Sequence, residues 1–183
     1  MSVRRRVVVL GAVTTLVLAA GSLALVGIAS GPSGSLGGSS IGCAAPALKG
    51  AVVRVTLSNM GRMTGNGMMG TGAMSLRADR ATVPSGKVSF LATNFGSVTH
   101  ELIVLPLDGA GLAGSRPLGG DSRVDESRSL GEASASCAAG EGDGILPGAS
   151  GWVTLSLRPG RYELLCNLPG HYAAGMYSQL TVD

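Results

Sequence analysis

From residue 48 onward, apolar and polar positions alternate in short runs separated by Gly, Pro and Asn, as half-buried strands do. In residues 52–57, Val53, Val55 and Leu57 share one face while Arg54 and Thr56 take the other. Residues 87–92 put Val88, Phe90 and Ala92 inward, and residues 152–157 do the same with Val153, Leu155 and Leu157. Residues 100–105 are nearly continuous in apolar side chains, which suits a strand covered on both faces. A turn at Pro159 and Gly160 leads into residues 162–166, where Tyr162, Leu164 and Cys166 face inward. Residues 176–182 alternate again, with Met176, Ser178, Leu180 and Val182 on one side. No segment shows the 3.6-residue period of an amphipathic helix. This rhythm predicts an all-β sandwich or barrel over residues 47–183.

Two Gly-rich stretches interrupt it, residues 58–73 and 108–150, and both read as long loop insertions. Ahead of the domain, residues 30–46 are Gly, Ser, Ala and Pro with little to bury, a flexible linker. Residues 1–29 begin with Arg4-Arg5-Arg6 and continue as 23 uncharged, mostly apolar residues. That layout is an export signal or an N-terminal membrane anchor. The apolar run exceeds the roughly 7–15 residues of a signal core and reaches the roughly 20 of a span, while Gly27-Ile28-Ala29 offers a cleavage site. The domain is therefore expected outside the cytoplasmic membrane or in a periplasm, anchored or secreted.

The net charge of +3 changes little once the N-terminal arginines are set aside, because eleven basic then face eleven acidic residues. No block of positive charge remains to neutralise a phosphate backbone, which argues against nucleic acid as a partner. Of the three cysteines, Cys43 and Cys137 make an even pair if Cys166 is committed to a metal. A Cys43–Cys137 disulfide and lipid attachment at Cys43 are both open at this point.

The chemistry concentrates near the C-terminus, in Cys166-Asn-Leu-Pro-Gly-His171-Tyr-Ala-Ala-Gly-Met176. The chain has two histidines, and the other, His100, lies in the upstream apolar segment. Taken singly, a buried Cys is a small hydrophobe, a Met fills core, and a His is a satisfied polar group. Together, two His, one Cys and a more distant Met are the donors of a blue-copper electron-transfer site, with the thioether as a weak axial ligand. Zinc would accept the Cys and His but has no use for a thioether. A Cys/His hydrolase would lack a third, orienting residue. Two histidines are also too few for a catalytic multicopper enzyme, so the chain reads as a carrier.

The spacing Cys-x4-His-x4-Met resembles the ligand loop of the cupredoxins and, among them, is most similar to sulfocyanin and rusticyanin. Asn94-Phe-Gly-Ser-Val-Thr-His100-Glu-Leu likewise resembles a first-ligand segment of sulfocyanin-like proteins. The resemblance implies a Greek-key β-sandwich of about eight strands holding one type 1 copper. His100 and His171 would be its equatorial imidazoles, Cys166 its thiolate and Met176 its axial ligand. Backbone N–H groups after His100 and Cys166 are expected to reach the sulfur. The resemblance also implies that Leu168, Pro169, Tyr172 and Ala173 form a small apolar patch around His171, where redox proteins such as a membrane oxidase or cytochrome would dock. Glu101 departs from the family pattern, and strand alternation turns it away from His100 as a structural group. The implied function is single-electron transport. The alternative is copper transport or storage by the methionines at 60, 63, 68, 69 and 74, whose plainer role is to fill gaps.

Overall fold

The computed structural model describes residues 43–59 and 74–183. The export segment, the linker through residue 42, and Met60, Met63, Met68 and Met69 lie outside the described residues. Among the described residues there are nine strands, in two sheets. In chain order they are β1 (Ala51–Ser58), β2 (Ser75–Ala78), β3 (Thr82–Val83), β4 (Gly86–Asn94), β5 (Leu102–Leu107), β6 (Gly131–Ala133), β7 (Ser150–Leu157), β8 (Gly160–Leu165) and β9 (Tyr177–Val182). One sheet has the order β2-β1-β4-β7 and the other β3-β9-β8-β5-β6, so the chain crosses between sheets as in a Greek-key sandwich. No helix among the described residues is long and apolar enough to cross a membrane.

The alternation read from the sequence sets the register. Val53 lies beside Phe90 in the parallel β1–β4 pair, and Phe90 lies opposite Val153 in the antiparallel β4–β7 pair. The inward residues Val53, Val55, Leu57 and Phe90 of the first sheet meet Leu102, Val104, Leu164 and Leu180 of the second in one apolar core. Cys166 and Met176 belong to that core and are completely buried. They lie just past the end of β8 and just before β9, where paired strands give way to the loop between them.

The stretch 108–150 is more ordered than a loop insertion. It contains β6, which pairs with β5 through Leu102↔Ala133 and Ile103↔Glu132. Isolated bridges Leu118↔Val124, Ala135↔Gly144 and Ala139↔Trp152 tie it further. Each piece is too short to show a period, and its partners are distant in sequence, so no local pattern announces it. Val124 packs with Ile103, Leu105, Leu165 and Tyr172 in a second apolar cluster. That cluster explains why β5 is apolar on both faces: the insertion covers its outer side.

Cys43 and Cys137 are joined by a disulfide, with their Cα atoms 5.0 Å apart. This removes Cys43 as a lipid attachment point. The bond ties the start of the described chain to the strip 137–140, which runs along the outer edge of β7. There Cys137 N donates to Ser150 O, Trp152 N to Ala138 O and Gly140 N to Trp152 O.

Candidate metal centre

His100 sits between β4 and β5, and its backbone pairs both ways with Ile145: His100 N donates to Ile145 O and Ile145 N to His100 O. The preceding turn is built around Asn94, whose buried side chain donates to Val98 O and Ile145 O at 2.8 and 2.7 Å and accepts from Gly96 N at 2.8 Å. Gly96 must be glycine for closeness: a Cβ there would stand 2.3 Å from Asn59 Oδ1 and 2.9 Å from His100 Nε2.

The other donors come from the β8–β9 connection. Cys166 N donates to Met176 O at 3.0 Å, closing the loop at its base. Inside it, His171 N donates to Leu168 O, Gly175 N to Tyr172 O and Met176 N to His171 O. These consecutive turns lift His171 to the tip, half-buried, while Cys166 and Met176 stay in the core.

The two segments converge. The donor atoms of His100, Cys166 and His171 all lie within 4.8 Å of one another. His100 Nδ1 is 3.3 Å from His171 Nδ1, which is 3.3 Å from Cys166 Sγ. The rings meet edge to face with centroids 5.1 Å apart. Met176, at the loop's far end, shares the apolar cluster of Cys166.

Electrostatics keeps these groups neutral without a cation. Burial, and then the charge of His171, pushes His100 down to about 4. Burial also lowers His171. Burial pushes the Cys166 thiol up to about 12, against the pull of N–H groups from Leu168 and Glu101. Glu101 N, the N–H expected from the segment after His100, donates to Cys166 Sγ at 3.4 Å. At neutral pH the imidazole lone pairs are free, and metal binding would displace only the thiol proton.

The donor set passes a chemical test for copper. Two Nδ1 atoms and a sulfur crowded together in an apolar pocket repel through their lone pairs unless protons or a cation stand between them. A soft thiolate with two imidazoles is what Cu(I) and Cu(II) both accept. The two sheets gathering these donors have a cupredoxin-like sandwich architecture, and His100, Cys166 and His171 fit a single type 1 copper.

Solved structures similar to this chain include a reduced rusticyanin, 19% identical over 74% of this chain and 81% of that one, with a TM-score of 0.46. A dithionite-reduced auracyanin from Roseiflexus castenholzii is also 19% identical, covers 74% of this chain and 98% of that one, and has a TM-score of 0.46. Rusticyanin from Thiobacillus ferrooxidans is 16% identical over 74% and 79% of the two chains, with a TM-score of 0.44. No protein-family model and no curated protein matches the chain.

Around the donors, two expectations are refined. Glu101 is buried, and its Oε1 accepts from Asn167 N at 2.9 Å, joining the segment after His100 to the residue after Cys166. Burial raises its carboxyl to about 7, partly offset by that hydrogen bond. Tyr172 does not belong to a surface patch. It is buried, and its hydroxyl donates to Glu163 Oε1 at 2.9 Å. Pro169 and Ala173 are exposed and Leu168 is half-buried beside His171.

Sequence reasoning missed Asn94 as an organiser, and also Asn167, Arg116 and Glu163. Asn167 brackets Val124, accepting from its N at 2.8 Å and donating to its O at 3.0 Å. The one available signal was a glutamate between Tyr162 and Leu164 on a strand whose neighbour β5 is apolar on both faces. That pattern requires a cover over the outer side of the sheet.

Proposed function

We propose that the protein carries single electrons outside the cytoplasm, passing them between redox proteins that dock at the His171 end. The convergence of His100 Nδ1, His171 Nδ1 and Cys166 Sγ carries this reading. Copper, when bound, supplies a one-electron couple between Cu(I) and Cu(II). His100, Cys166 and His171 would hold it, with Met176 as the weak axial donor. The chain's own contribution is rigidity and access. His100 and Cys166 are fixed by backbone pairing inside a packed core, so their positions change little with the charge between them. His171 is half-buried and flanked by exposed Pro169 and Ala173, where a partner can approach through a small, easily dehydrated contact. The signal-like residues 1–29 support an extracytoplasmic location, with membrane association through that segment if it is retained.

The test is an absorption spectrum of the Cu(II)-loaded protein before and after reduction. An intense thiolate-to-copper band that bleaches on reduction and is absent from Cys166→Ser is expected. A pale complex that does not bleach would overturn the carrier reading and favour copper handling by methionines.

A further inference from the structure

Glu163 is completely buried, in the middle of β8. A carboxylate withdrawn from water is strongly disfavoured unless every lone pair finds a partner. Here three donors converge on it: Gly114 N at 2.6 Å, Tyr172 Oη at 2.9 Å and Arg116 Nε in an ion pair. Arg116 is held in turn, donating Nη2 to Pro106 O at 2.6 Å, while its backbone N donates to Tyr172 Oη at 3.1 Å. The Tyr172 hydroxyl thus both gives and receives a hydrogen bond, which fixes its ring in direction as well as depth. Apolar residues of similar volume would fill this space without the desolvation penalty. What the polar network adds is a single orientation for Tyr172, and Tyr172 is the neighbour of His171. The same residue anchors the rear of the loop, since Gly175 N donates to Tyr172 O.

We propose that Glu163 is a positioning residue of the metal centre: with Arg116 it locks Tyr172, and through Tyr172 it holds His171 in its liganding position with or without metal. The insertion that supplies Arg116 and Gly114 is then part of the site's machinery. This rests on the reading of His171 as a ligand. Because His171 stands on the loop tip, release of metal requires the tip to swing, and the lock opposes that swing. Groups that orient a ligand from outside are worth about 10–100-fold in metal affinity.

Tyr172→Phe removes the hydroxyl and keeps the ring. Two quantities decide the matter: amide exchange at His171, Gly175 and Met176 in the metal-free protein, and the rate at which a Cu(I) chelator strips the reduced, loaded protein. In Tyr172→Phe we expect faster exchange at those three amides and roughly tenfold faster stripping. Glu163→Gln should act through the same hydroxyl, so the double variant should add little to either single one. If Glu163→Gln does not fold, Arg116→Lys takes its place in the cycle. A folded Tyr172→Phe with exchange and stripping at parental values, even at a lowered Tm, would overturn the proposal, as would additive effects. A parent that binds Cu(II) without a blue band would overturn the step from loop to metal. Unchanged loop exchange in a blue protein overturns the lock alone.

Discussion

His100 is wholly buried and its backbone is bonded in both directions to Ile145, whereas His171 is half-buried on a loop that closes its own short turns. The first is placed by the sandwich itself, as a by-product of how β4 leads into β5. The second is held through Tyr172, on which Glu163 of β8 and Arg116 of the insertion converge at the outer side of the sheet. One imidazole is therefore a fixture of the core and the other a fixture of an added layer. This division lets the fold keep a metal-ready geometry on one side while leaving a solvent-facing edge on the other.

The two histidines should respond differently to removal. Both His171→Gly and His100→Gly should lose the blue band. Added imidazole should restore it in His171→Gly, whose gap opens to solvent, and fail in His100→Gly, whose gap lies in the core. Recovery in both variants, or in neither, would show that the two sites are not distinguished by access.

A smaller effect tests how the core side is held. Asn94→Ala strands Val98 O and Gly96 N and leaves Ile145 O with His100 N alone, and should lower folding stability by roughly 2–4 kcal/mol in denaturant titrations. A change below about 0.5 kcal/mol would mean that the backbone pairing to Ile145 suffices to place His100.

The smallest effect is in pH. In the metal-free protein, His100 titrates at about 4 against an ordinary 6.5, so the unfolded chain takes up the proton first and stability falls as pH drops from 6.5 toward 4. His171, also lowered, acts in the same direction. Glu101 titrates at about 7 against an ordinary 4.5, so its contribution is present below 4.5 and is lost as pH rises to 7. Between these limits the Glu101 slope opposes the two histidine slopes, and the parent's Tm should rise only weakly with pH. Glu101→Gln removes one slope, so its Tm should climb between pH 4.5 and 6.5. A variant as flat as the parent would show that the histidine and carboxylate effects do not offset each other.

The sandwich was legible because its long strands alternate cleanly: β1, β4, β7, β8 and β9 fall within two residues of the runs that predict them. β5 begins later than the apolar run suggests, at Leu102, because His100 and Glu101 turn their backbones toward Ile145 and the sulfur instead of β8. The convergence of His100, Cys166 and His171 was legible because their chemistry is rare and their spacing compact. β2, β3 and β6 were not, since strands of two to four residues carry no period. Nor was the role of Glu163, because alternation alone turns a strand glutamate toward water. Only the insertion folding back over β5 and β8 makes that face interior, and nothing local in residues 108–130 states where they will lie.

The strip 137–140 along β7 has a further consequence, for the behaviour of many copies together. A sheet edge with free N–H and C=O groups is a template for a neighbour's strand, and sandwiches that leave one open are prone to pile up edge to edge. Here the edge groups of Ser150 and Trp152 are already engaged by the chain's own Cys137, Ala138 and Gly140, and the Cys43–Cys137 bond pins that strip in place. Over Ser150 to Trp152 the sheet edge is closed to recruitment, so crowding can bring molecules close without seeding growth from that end of β7.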